Sequence, residues 1–130
     1  GNCATCDSLL LPAAVSTRVA QEDFAEAEQF CRRLEEAAEK YASRTWIAMA
    51  RQSRGELAAA QGDLDRAIDC YWDAAEAFGN AGNQYEAARC LSALAALQRA
   101  RGAANDLQAA HDAQRQAQQI FEQLGAALKI

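Results

Sequence analysis

Residues 55–82 read GELAAAQGDLDRAIDCYWDAAEAFGNAG, and the spacing within them decides the fold. Ile47, Ala50, Arg54 (by its aliphatic stem), Leu57 and Ala58 recur near helical intervals until Gly62-Asp63 interrupts them. The interval then resumes through Leu64, Ala67, Ile68, Tyr71, Ala74, Ala75 and Phe78, with Asp65, Arg66, Asp69, Asp73 and Glu76 on the opposite side. An apolar stripe at this period is one face of an amphipathic helix, whereas a strand would alternate. Gly62 can take the left-handed conformation that ends a helix, and the Asp63 side chain can cap the next one. The stretch is a helix, a tight turn and a second helix.

The same unit recurs on either side. AQEDFAEAEQFC from Ala20 matches AQGDLDRAIDCY from Ala60 at Ala20/Ala60, Gln21/Gln61, Asp23/Asp63 and Ala27/Ala67, with Phe24 answering Leu64. RARGAANDLQAA from Arg99 puts Gly102 where Gly62 stands and, after three extra residues, Leu107 and Ala110 where Leu64 and Ala67 stand. Phe78 and Gly82 return as Phe121 and Gly125. The period is about forty residues, within the range of helical-hairpin arrays. The expected architecture is all-α: one domain over 1–130, made of three stacked antiparallel helical hairpins at about 8–41, 44–82 and 84–125. The helices are expected at 8–20, 24–40, 44–61, 64–79, 84–101 and 107–124. Leu34, Leu57, Leu64, Tyr71, Phe78, Leu91, Leu94 and Leu107 are expected between helices, and Trp72, turned about 100° from Tyr71, at an edge.

Composition agrees with this reading. Alanine supplies about a quarter of the 130 residues and proline occurs once, so the chain is built from helix formers that let helices approach closely. Pro12 is tolerated in a first turn, which places the start of the first helix at Ser8 or later, with Ser8 as its cap. The net charge of −5 argues against direct nucleic-acid binding, which needs a basic stripe to neutralise phosphates. Arg51, Arg54, Arg89, Arg99 and Arg101 alternate with acids, as on a solvated helix face. No apolar run approaches the roughly 20 residues that span a membrane, and no signal peptide is visible, so the expected location is cytoplasmic.

The middle copy resembles the tetratricopeptide repeat: Gly55, Gly62, Ala67, Tyr71 and Ala74 stand at the spacing of that motif's Gly, loop Gly, Ala, aromatic and Ala. Val15 and Ala95 replace Gly55 in the other copies, and Gln114 replaces the aromatic. More narrowly, residues 55–102 and the later IFEQLGA are similar to the C-terminal repeat region of large LuxR-type and MalT-like bacterial transcription regulators and of related cyclase-linked ATPases. The resemblance implies an excised interaction or sensor segment, with an ATPase and a DNA-binding helix-turn-helix elsewhere in the parent chain. Its partner would be a protein segment or small effector held on the first helix of each hairpin. Carried over residue by residue, the groove positions are Met49, Gln52, Ser53, Glu56 and Ala59, then Arg89, Ser92, Ala93, Ala96 and Arg99. The Lys and Asn cluster with which related repeats hold a terminal carboxylate is missing.

Other chemistries find less support. The pair Cys3-x-x-Cys6 lacks the second pair that a structural zinc site takes, since Cys31, Cys70 and Cys90 are isolated and the lone His111 sits among polar neighbours. A redox pair of the thioredoxin kind would follow a strand. Oxidation of Cys3 and Cys6 that alters the packing of the first helix remains the alternative function, a thiol sensor. Glu35, Glu36 and Glu39 beside Arg32, Arg33 and Lys40 suit intrahelical ion pairs. No glycine-rich phosphate loop, HExxH or Ser-His-Asp arrangement occurs, so neither catalysis nor a cofactor is expected. Phe121, Leu124 and Leu128 on the last helix form an apolar end through which a homodimer is expected.

Overall fold

The computed structural model describes the backbone of residues 4–128 and the side chains of residues 10–127. These residues form six helices: α1 (Ala4–Ala20), α2 (Phe24–Tyr41), α3 (Arg44–Ala60), α4 (Leu64–Asn80), α5 (Gln84–Arg101) and α6 (Asp106–Leu128). Each helix packs on the next, and α1 also touches α3. No helix among the described residues is long and apolar enough to cross a membrane.

The turns keep a twenty-residue beat. Asp23, Ser43, Asp63 and Asn83 each cap a helix, their side chains accepting from the backbone N–H of Glu26, Trp46, Arg66 and Glu86. Capping satisfies a donor that the first turn of a helix otherwise leaves unpaired. The residue before each cap is left-handed, with φ of 57° at Glu22, 49° at Ala42, 81° at Gly62 and 82° at Gly82. Glycine fills two of these four positions, and Glu22 and Ala42 occupy theirs with a Cβ in a crowded region.

Two apolar clusters fill the interior. One gathers Leu11, Val15, Cys31, Leu34, Trp46 and Leu57 from α1 to α3; the other gathers Ile68, Phe78, Leu91, Leu94 and the small residues Ala110, Ala113 and Ala117 from α4 to α6. Met49 on α3 packs against both. Alanine at the facing positions lets α5 and α6 pack closely, as the composition suggests.

Several expectations need correction. Helix α1 begins at Ala4, so Pro12 lies well inside it and Ser8 is an interior residue rather than a cap. An interior proline forfeits one backbone hydrogen bond, and the burial of Leu11 and Val15 holds the helix across it. Leu107 is 74 % exposed, while Leu64 and Tyr71 are only half-buried. The turn before α6, residues 102–105, is longer than the turns before it, and it is Asp106 that turns inward there. Trp72 lies outside at 53 % exposure.

The charged residues also depart from a uniformly solvated face. Arg54 is only 5 % exposed, with its guanidinium forked onto Glu35 at 2.7 and 3.1 Å and donating to Glu28 as well. Glu35 therefore ties α2 to α3 instead of pairing within its own helix. Arg101 likewise links Asp106 at 2.7 Å and Asp65 at 3.0 Å, fastening the starts of α6 and α4 to the end of α5.

Candidate functional site

A cavity of about 620 Å³ opens along the odd-numbered helices. Pro12, Ala13 and Ser16 of α1 form one wall, Met49, Gln52, Ser53 and Glu56 of α3 the middle, and Glu86 and Arg89 of α5 the far wall. Tyr71 and Phe78 of α4 also line it. The ring of Tyr71 reaches α3 because residue 55 is glycine: a Cβ there would stand 2.9 Å from Tyr71 Cδ2 and 3.2 Å from Cys70 Cβ. The close approach of α3 and α4 thus depends on one missing methyl.

The lining is polar and mildly acidic. Ser16 Oγ donates to Glu56 Oε2 at 2.9 Å, Gln52 Nε2 donates to Glu86 Oε2 at 3.3 Å, and Arg89 donates to Glu86 at 3.1 Å. These bonds cross from helix to helix or hold neighbours on one helix, so the carboxylates are positioned before anything binds. Two carboxylates against one guanidinium favour a ligand rich in hydrogen-bond donors. Burial pushes the Tyr71 hydroxyl well above the ordinary tyrosine range, and Glu56 adds to the effect. At neutral pH it is a neutral donor and acceptor.

Of the residues singled out in the sequence, Met49, Gln52, Ser53, Glu56 and Arg89 line this cavity. Ser92 is half-buried further along α5 and Arg99 is exposed near its end, and neither lines the cavity, nor do Ala59, Ala93 and Ala96. The α1 wall escaped the sequence reading although the signal was there: Pro12, Ala13 and Ser16 stand forty residues before Gln52, Ser53 and Glu56. Glu86 was missed as well, one helical turn before Arg89.

Cys3 lies outside the described residues, as does the side chain of Cys6, whose backbone belongs to α1. Cys31, Cys70 and Cys90 are free and buried. Burial raises all three thiols, Cys31 to about 11 and Cys90 to about 12, which leaves them protonated and poorly nucleophilic at neutral pH. Among the described residues no three His, Cys, Asp or Glu side chains gather as a metal site would require. At the other end, Phe121 is 37 % exposed and meets the edge of the Tyr85 ring at 5.9 Å, Leu124 is half-buried, and the side chain of Leu128 lies outside the described residues. No protein-family model, curated protein sequence or solved structure matches the chain.

Proposed function

We propose that this chain is a non-catalytic interaction module of stacked helical hairpins, which holds a protein segment or small effector along α1, α3 and α5. The convergence of Met49, Gln52, Ser53, Glu56 and Arg89 on one cavity carries the reading, because the resemblance to the tetratricopeptide repeat implies the same positions independently of the cavity. The polar lining supports an extended segment. A peptide backbone brings unpaired N–H and C=O groups, and Gln52, Ser53, Glu56 and Glu86 offer partners for them. By its resemblance to the repeats of LuxR-type and MalT-like regulators, the module would transmit the presence of that ligand to ATPase and DNA-binding domains of a parent protein.

The test is selection of a random displayed-peptide library on the immobilised domain. A consensus sequence should emerge that carries donor or cationic residues, and its binding should fall about tenfold in Glu86→Lys. Failure to enrich any sequence, or enriched peptides that bind Glu86→Lys as well as the parent, would refute the assignment of this groove.

A further inference from the structure

A second groove lies away from the first, and its chemistry is different. Trp72, Ala75, Glu76 and Gly79 of α4 form one side, Gln116 and Ile120 of α6 the other, and Ala87 and Leu91 of α5 line it between them. It encloses about 320 Å³, room for two side chains of about phenyl size, since about 150 Å³ suffices for one benzene. Gly79 contributes open space: a Cβ built there meets nothing within 4 Å. Trp72 stands at this groove more than half exposed, a large aromatic surface that the interior does not use.

The charged residue of the described lining is Glu76, an acid. On the outer face of α4, Asp65 is held by Arg101 and Asp73 by Arg51, whereas Asp69 and Glu76 have no cation in ion-pairing reach among the described residues. Trp72, Glu76 and Gly79 follow three- and four-residue steps along the groove, and Asp69 continues their stripe one turn beyond the lining. A cation over an indole ring is attracted by the ring's electron-rich face, and a carboxylate one turn away adds a charge partner.

We propose that this groove seats the apolar ridge of a basic amphipathic helix from a partner protein, with a Lys or Arg of that helix lying over Trp72 and pairing with Glu76. The apolar lining selects a helix over an extended segment. An extended backbone would leave its polar groups against Ala75, Ala87, Leu91 and Ile120, while a helix satisfies its own. The carboxylates select a basic partner over a second copy, because this chain carries a net charge of −5 and a like-charged copy would be repelled.

The probe is a synthetic peptide of about 18 residues, long enough to hold a helix, with a leucine ridge flanked by arginine. The Trp46→Phe protein leaves Trp72 as the single tryptophan of the two. Saturable binding should shift its emission to the blue, and titration calorimetry on the unsubstituted protein should give the same affinity. Gly79→Leu fills the groove without lowering helix propensity and should weaken binding at least about tenfold, as should Glu76→Lys. An acidic analogue with the same ridge should bind at least about tenfold more weakly. The proposal is overturned if the acidic analogue or a proline-interrupted basic peptide binds equally well. It is also overturned if Gly79→Leu binds normally, if the basic peptide fails to bind, or if protein concentration alone produces the blue shift, which would identify a second copy as the occupant.

Discussion

Gly55→Ala adds a single methyl where α3 meets α4, and two opposing effects can be weighed. On an isolated helix the change stabilises by about 1 kcal/mol, because glycine is the costlier helix residue. Here the new Cβ would lie 2.9 Å from Tyr71 Cδ2, 3.0 Å from Cε2 and 3.2 Å from Cys70 Cβ, closer than carbon atoms pack. Either the ring or the helix must move, and overpacking of this kind costs about 1–3 kcal/mol. The net expectation is a loss of about 1 kcal/mol. Truncating the ring removes the two closest of these contacts: Tyr71→Ala alone should cost about 2–3 kcal/mol, below the ~3–5 of large core truncations because the ring is only half-buried. In that background Gly55→Ala should become favourable by up to about 1 kcal/mol. The coupling across the cycle is therefore about 2 kcal/mol, large for two residues and measurable by urea denaturation of the four proteins with equal m-values. A coupling under about 0.5 kcal/mol would refute the claim that residue 55 is glycine because of the Tyr71 ring. A loss under about 0.5 kcal/mol for Tyr71→Ala would show that the ring does not pack between α3 and α4.

Three further outcomes follow from the turns and ion pairs. Ala42→Gly should raise stability by about 0.5–1 kcal/mol in the same assay, since Ala42 holds φ of 49° and glycine adopts that conformation without a Cβ clash. Arg54→Met keeps the buried stem but loses the fork to Glu35 and the bond to Glu28; because both carboxylates reach water and can resolvate, the loss should be about 1–2 kcal/mol, and thermal unfolding of Glu35→Gln should show a smaller one. Asp106 is held at about 2 by its bonds to Arg101 and by the Ala103 N–H, below its ordinary value of 3.8. The unfolded chain therefore binds its proton first on acidification, so this contribution is complete above about pH 4 and disappears as pH falls toward about 2. Stability curves of Asp106→Asn should lack that part of the acid dependence.

The sequence alone determined the local structure because helix signals act over a few residues. Gly62-Asp63 and the stripe from Leu64 to Phe78 locate α3, its end and α4 to within a residue or two, and the forty-residue period carries the same elements to both sides. Met49, Gln52, Ser53, Glu56 and Arg89 of the cavity wall were legible only through the resemblance to a repeat family, and the α1 wall would have been had the period been applied to Gln52, Ser53 and Glu56. Pro12 misled because its local cost points to a helix start, whereas burial of Leu11 and Val15 outweighs that cost. What the period could not determine is which charges meet across helices. Arg54 and Glu35 are nineteen residues apart and Ser16 and Glu56 forty, and each pair comes together only when α1, α2 and α3 pack. Leu107 and Asp106 exchange roles through the lengthening of one turn, which rotates the start of α6 and decides which of two neighbours faces inward. Local periodicity sets which face of a helix is apolar; only the packed neighbours decide how much of that face is covered and which polar groups share the interior with it.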